Sequence, residues 1–429
     1  MSSGAAASEA KQGCETKQSC EAKVRALVGP GQTRPWTTAD LADVPYYPPE
    51  HALADCEPVA RHCRLSVLRG EESAKSRSRR AAGEKAEPRP LVVFVHGGSW
   101  RRGSRLSGFY AGDLQAFADK HDCVVASIGY RLSRWRWRGL FLINPLLLVL
   151  QMSLVCALLA LPAYLGGWRL PEPWLPWLPL VPVVCAAIEL VILGGWPAGG
   201  GNCRPREPLV TATEMASDVA HGISWIRENA SSLGADPTRL HLAGHSAGAH
   251  LCATLLCQPS HLESVGLRRS DINGVALLSG IFDVPLMQSE FPAGVRAFTR
   301  ELIVRPAFGG NENDWAAQSP AQVLDARDGK PDASDDPFPP LLMCCGGREG
   351  KLFQRQIGRF AESLHRAGAA DVQTLRIAGK HHGTMVSHLG HRSKDTVGAA
   401  VTAFFGLMSG GDAVAQRAKD DMEQALAQA

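Results

Sequence analysis

The chain has 429 residues, enough for one large α/β enzyme with insertions, and its 45% share of hydrophobic residues supports a sizeable core. A net charge of +3 is too small to argue for a nucleic-acid partner. Its 12 cysteines are irregularly spaced and lack a metal-type C-x-x-C pair, and many lie in apolar runs (Cys156, Cys185, Cys252, Cys257, Cys344, Cys345), which argues for a reducing compartment without a disulfide framework.

Residues 1–55 are rich in Ala, Ser, Lys and Glu, then in proline at Tyr46-Tyr47-Pro48-Pro49, and read as a mobile lead-in. The first thirty residues show no signal-peptide core, and Glu9 and Glu15 argue against a transit peptide. Cys63–Leu68 alternates like a strand, and the basic stretch 71–89 (Lys75, Arg77, Arg79, Arg80, Lys85) reads as a solvated loop. Leu91–Val95 and Cys123–Ile128 are continuous apolar runs, the form of strands buried on both faces of a parallel sheet. Further strands are expected at Leu240–Ala243, Gly274–Leu278, Leu341–Cys345 and Val372–Ile377. Helices are expected at Tyr110–Lys120 and Met215–Leu233, from Ser246 to Gln258, around Phe353, Ile357, Phe360 and Leu364, and over 395–408. This alternation defines a mostly parallel, doubly wound α/β sheet. The polar tail 409–429 has little to hold it down.

One block breaks the alternation. No residue from Gly139 to Trp168 is charged, and Leu146–Leu165 matches the roughly 20 residues that cross a bilayer. A second apolar run, Trp174–Trp196, follows Pro173, is interrupted by prolines at 176, 179 and 182 and carries Glu189. Because the block lies between two elements of one sheet, it crosses a membrane twice or not at all. Arg131, Arg134, Arg136 and Arg138 before it, with Arg204 and Arg206 after it, place the flanking domain on the cytosolic side. The expected feature is therefore an inserted apolar membrane hairpin at 136–204. An interfacial lid in one leaflet and a buried soluble helix pair are the alternatives.

The chemistry centres on Gly244-His245-Ser246-Ala247-Gly248, a small-residue turn between an apolar strand and a helix. Such a turn lifts the Ser246 hydroxyl clear of the sheet edge, as in a nucleophile elbow. The base should follow the last strand, where either histidine of Lys380-His381-His382-Gly383 could serve. An orienting acid should follow the strand before it, where Cys345-Gly346-Gly347-Arg348-Glu349 supplies Glu349; Asp283 in Ser279-Gly280-Ile281-Phe282-Asp283 is the fallback and otherwise caps a helix. His96-Gly97-Gly98 after the first buried strand brings backbone amides to a substrate oxygen, with Gly98, Ser99 and Ala247 as donors and Gly97 and Trp100 beside the substrate. His96, His241, His245, His250 and His391 are assigned no catalytic role. No His/Asp cluster has metal spacing, so neither a metal nor another cofactor is expected.

Over roughly 88–405 the chain resembles α/β-hydrolase-fold serine esterases of the hormone-sensitive-lipase-like and kynurenine-formamidase-like group, and most of all the prenylcysteine methylesterases. Gly97-Gly98-Ser99-Trp100 with Gly103 resembles their G-G-x-W…G loop. Ser217-Asp218-Val219, Gly222-Ile223-Ser224, Asp236-Pro237 and Ser246-Ala247-Gly248-Ala249-His250 resemble their central block. Their Gly-Lys-x-His motif implies that His382 is the base. Two departures stand out: Glu349 replaces the usual Asp, and the apolar block lies inside the catalytic domain rather than before it. The resemblance implies a membrane protein that cleaves the methyl ester of a prenylated C-terminal cysteine.

The organisation expected is a lead-in (1–55), a catalytic domain split over 56–135 and 205–408, the hairpin 136–204, and the tail 409–429. The function expected is a serine esterase held at the endoplasmic reticulum or Golgi, acting on a lipophilic ester, with membrane lipid and a prenylated protein C-terminus as partners. An arylformamidase, a general carboxylesterase or lipase, and a non-catalytic membrane-tethered ligand-binding relative are the alternatives.

Overall fold

The computed structural model describes residues 43–54, 56–70, 88–106, 111–133, 210–327, 336–387, 389–390 and 395–407. The expected hairpin at 136–204, the basic loop from 71, the tail 409–429, His391 and the lead-in up to residue 42 lie outside them. Among the described residues, no helix is long and apolar enough to cross a membrane.

Eight strands form one sheet among the described residues: β1 (Val44–Pro45), β2 (Arg64–Arg69), β3 (Arg89–Val95), β4 (Val124–Ile128), β5 (Ala235–His245), β6 (Gly274–Leu278), β7 (Leu341–Gly346) and β8 (Val372–Ile377). Their order is β1-β2-β4-β3-β5-β6-β7-β8. β1 pairs antiparallel with β2, β2 antiparallel with β4, and every other pairing is parallel. The expected mostly parallel sheet is therefore present, with an antiparallel edge at β1 and β2.

The apolar run of β3 is divided between the two faces, as a period of two requires. Leu91, Val93 and Val95 enter one core with Met215, Val219, Ile223 and Ile226 of the helix Ala212–Asn229. Val92 and Phe94 enter the other, with Leu114 and Phe117 of the helix Ala111–His121 and Val397 and Val401 of the helix Thr396–Phe404. The long helix starts where Thr211 and Glu214 close a capping box, and a 3-10 turn at Ala230–Leu233 ends on Gly234 in the left-handed region.

Two expectations need correction. Residues 44–54 do not belong to the lead-in: Val44 and Pro45 pair with β2, and Tyr46 and Tyr47 are buried. Their prolines suggested disorder, yet Tyr46 donates to the carbonyl of Gly129 at 2.7 Å and Tyr47 to Asp218 at 2.7 Å, which anchors the segment. β5 begins at Ala235 rather than Leu240, and its first half is only part-buried, so hydropathy did not mark it. Over 284–338, where no element is expected, the structure has short helices at Val284–Ser289, Glu312–Ala317 and Pro320–Asp325, and a helical run from Ala293 to Phe308 whose middle, Arg300–Val304, is a π-helix that breaks the 3.6-residue period.

Candidate active site

The parallel strands end in step. Val95 is level with Ile128 and Gly244, His245 with Leu278, Leu278 with Cys344, and Gly346 with Ile377. The loops that follow β3, β5, β6, β7 and β8 therefore open at one carboxyl edge of the sheet, where ligands of such folds bind.

Ser246 occupies the turn after β5 with φ 54° and ψ −118°, a strained backbone for a serine. Its amide donates to the carbonyl of Leu278 at 2.8 Å, which ties the turn to the end of β6. Flanking glycines are required by contact rather than by composition. A Cβ on Gly248 would lie 2.1 Å from the carbonyl oxygen of Val95, and one on Gly244 would lie 2.6 Å from that of Gly248. The helix Ala247–Cys257 can rest on β3 only because these side chains are missing.

His382 Nε2 lies 3.0 Å from Ser246 Oγ, and His382 Nδ1 lies 2.7 Å from Glu349 Oε1. A neutral imidazole can donate from one nitrogen and accept at the other. With the carboxylate receiving the Nδ1 proton, Nε2 is left to accept from the serine hydroxyl. The ring is held between Phe353, stacked at 4.7 Å, and His245, tilted at 4.7 Å. The loops carrying Glu349 and His382 are themselves joined, by Gly347 N–H to the Ile377 carbonyl (2.7 Å) and Arg348 N–H to the Lys380 carbonyl (2.8 Å).

The alternatives are placed elsewhere. His381 is exposed, and its backbone amide donates to Thr384 Oγ1 at 2.7 Å. Asp283 caps the helix Val284–Ser289 by accepting from Leu286 N–H at 2.9 Å and also accepts from Gln322. His96, His245 and His250 are buried, and burial pulls their imidazoles down to about 4, 3 and 4 respectively. Burial likewise lowers His241 to about 4. All four stay neutral near pH 7.

Gly98 has φ 132° and Ser99 φ 54°, and a Cβ on Gly97 would come within 3.0 Å of the Ser246 Cβ. The loop thus lies directly against the elbow. Among the described residues, no acceptor takes the amides of Gly98, Ser99 or Ala247. Three N–H groups near one hydroxyl are therefore available to an incoming oxygen. Trp100, expected to contact substrate, does not offer its ring: it is 2% exposed, edge-on to Phe308, and donates Nε1–H to His250 Nδ1 at 3.3 Å. It supports the loop from beneath. Its ring fills core space instead of lining the substrate.

Two residues were not singled out for what they do. Asp218, quoted only within a motif, is fully buried and accepts from the backbone amide and guanidinium of Arg131 as well as from Tyr47. His245, the variable residue of the elbow motif, has Nε2 3.1 Å from the carbonyl oxygen of His382, so its neutral ring donates to the backbone of the base loop. No sequence pattern marks that contact, which joins positions 137 apart. Free thiols at Cys63, Cys123, Cys252, Cys257, Cys344 and Cys345 are buried, and burial first, then the Glu349 charge, pushes Cys345 up to about 11. Among the described residues, no group of three His, Cys, Asp or Glu side chains could hold a metal ion.

The parallel sheet, the elbow and the order serine, acid, histidine define a protein of the α/β-hydrolase fold class. A family model described as an alpha/beta hydrolase fold matches residues 205–386. The chain is 26% identical over 208 residues to Esterase LipQ of Mycobacterium tuberculosis, covering 48% of this chain and 46% of that protein. It is 27% identical over 180 residues to the isoprenylcysteine alpha-carbonyl methylesterase ICME of Arabidopsis thaliana, covering 41% of this chain and 40% of the relative. Each alignment spans less than half of the relative's length. Among solved structures, Thermogutta terrifontis esterase 2 phosphonylated by sarin superposes with a TM-score of 0.49 at 16% identity, covering 87% of this chain and 98% of that one.

Proposed function

We propose that the protein is a serine hydrolase of carboxylic esters, in which Ser246 attacks the carbonyl, His382 takes and returns the proton, and Glu349 orients the imidazole. The observation that carries this reading is the unbroken hydrogen-bonded line Ser246–His382–Glu349 beside the unpaired amides of Gly98, Ser99 and Ala247. In the first half-reaction, the hydroxyl proton moves to Nε2 as the Oγ–carbon bond forms, and those amides receive the negative charge on the carbonyl oxygen. The imidazolium then protonates the departing alkoxide. A water molecule, deprotonated by the same nitrogen, cleaves the acyl-enzyme and restores the serine.

The proposed substrate is a lipophilic ester of the prenylcysteine methyl ester kind, presented by a prenylated protein C-terminus. This is supported by the likeness to isoprenylcysteine methylesterases and by the uncharged run Gly139–Trp168, which suits attachment to lipid. The hairpin 136–204 is proposed to hold the catalytic domain on the cytosolic face of the endoplasmic reticulum or Golgi, given the arginines on both of its flanks.

A fluorophosphonate probe should label the wild type and not Ser246→Ala; equal labelling would remove Ser246 from its role. Farnesylcysteine methyl ester should be hydrolysed with a higher kcat/KM than p-nitrophenyl acetate, and the reverse order would overturn the lipophilic substrate. Release of the full chain into the supernatant by alkaline carbonate would overturn integral insertion.

A further inference from the structure

The Glu349 carboxylate has two oxygens with separate duties. Oε1 faces His382, while Oε2 receives the Ser279 hydroxyl at 2.8 Å and the Gly346 N–H. We infer that Ser279 is a positioning residue for the reaction, holding Glu349 so that one oxygen is always turned to the imidazole. The inference rests on the hydrolase reading proposed above and deepens it.

Glutamate needs such a hold more than aspartate would. Its extra methylene adds a torsion, and rotation of its terminal carboxylate is broad rather than confined to sharp wells. Only a donor fixed on the second oxygen decides which way the group faces. The Glu349 side chain is 1% exposed, so water is poorly placed to substitute. The Gly346 N–H holds that oxygen from within the acid's own loop, and the Ser279 hydroxyl adds a second donor from the end of β6, which fixes the carboxylate from a second side.

Ser279 is well placed to supply that donor. It follows β6 directly, is 0% exposed, and its amide donates to the carbonyl of Cys344 at 2.7 Å. Its neighbour Leu278 accepts the amide of Ser246 at 2.8 Å, so residues 278 and 279 lie between the elbow and the acid loop. The backbone at Ser279 has φ 49°. Glycine would meet that conformation without strain, and what serine adds is its hydroxyl.

The test uses the full chain, p-nitrophenyl butyrate as probe substrate, and the variants Ser279→Ala and Ser279→Gly. Glycine relieves the backbone strain, so it carries the test even if the alanine variant folds poorly. Both should lose about tenfold to a hundredfold in kcat with KM within about twofold, the size of a lost hydrogen bond to a charged group. Fluorophosphonate labelling should slow in parallel. In a Glu349→Gln background, where no carboxylate remains to be held, Ser279→Gly should cost less than about twofold further. A Ser279→Gly variant with wild-type kcat, or a loss that is fully additive with Glu349→Gln, overturns the inference alone. A wild-type chain that neither labels nor hydrolyses overturns the proposed function, and the inference falls with it.

Discussion

Glu349 Oε1 and His382 Nδ1 lie 2.7 Å apart across 33 residues of chain, with the glutamate side chain 1% exposed and the imidazole 40% exposed. The carboxylate is sunk in protein while the ring it steers reaches the opening where a substrate arrives. That division sets the tautomer of His382 without exposing the acid to competing water. Glu349→Gln can keep the contact but favours the wrong tautomer, and kcat should fall by about 10³–10⁴. Glu349→Asp withdraws the carboxylate by one methylene and should fall between that variant and the wild type. Steady-state kinetics on a p-nitrophenyl ester measure both, and a loss below about tenfold in Glu349→Gln would remove the orienting role.

The oxyanion loop depends on Gly98. Its φ is 132°, and a Cβ there would lie 1.9 Å from the carbonyl oxygen of Arg102. Gly98→Ala must therefore move the loop and the amides it carries. Loss of one such donor costs about 10²–10³ in rate, so kcat should drop by at least that much. Circular dichroism should stay close to that of the wild type, because the strain is confined to a loop. Unchanged kcat would mean that the amides of Gly98 and Ser99 do not receive the developing charge.

Stability should depend on pH through four buried histidines that fold neutral, of which His96, His245 and His250 are the most deeply buried. Burial holds His96, His245 and His250 at about 4, 3 and 4, below the ordinary value of about 6.5 that an unfolded chain restores. Where the unfolded state binds more protons, stability rises with pH. The contribution is thus complete above pH 6.5 and is lost as pH falls, down to about 4 for His96 and His250 and about 3 for His245. The slope reaches about 4 kcal/mol per pH unit if all three act together. Urea titrations at pH 7, 6 and 5 would read it, and a flat profile would contradict the neutral assignment.

Asp218 is fully buried and binds Arg131 through the arginine backbone amide at 3.0 Å and its Nε at 2.8 Å. Glu214, 3.7 Å from the same guanidinium and 42% exposed, is a weaker counter-ion. Asp218→Asn leaves a buried guanidinium without its main partner and should destabilise the fold by about 3–5 kcal/mol. Pairing it with Arg131→Met should recover part of that loss, which denaturant melts of the single and double variants would show. Ser246 should still label below the melting temperature, since Asp218 does not touch the reacting groups.

Much of the fold was legible because its central strands β3, β4, β6 and β7 are apolar on both faces. β3, β4, β6, β7 and β8 were visible as uncharged or regularly patterned runs, and the helix Ala212–Asn229 as a stripe at Met215, Val219, Ile223 and Ile226. What escaped was structure without period or with weak burial. The half-exposed start of β5, the two-residue strand β1 and the short helices after Asp283 depend on partners distant in the chain, and local composition says nothing of those.

The same division runs through the site. Sequence alone determined which residue types stand after which strands: a serine between glycines, a glutamate, two adjacent histidines and a glycine pair, each in a turn whose small residues announce it. The family likeness already implied His382, and the strand order already preferred Glu349. Only tertiary structure set His382 between Ser246 and Glu349, left His381 exposed and Asp283 capping a helix, and put Trp100 in the core and Ser279 on the acid. Those placements depend on where strand ends align and which way side chains point across a sheet edge. That alignment is a property of register and packing between segments far apart in the chain.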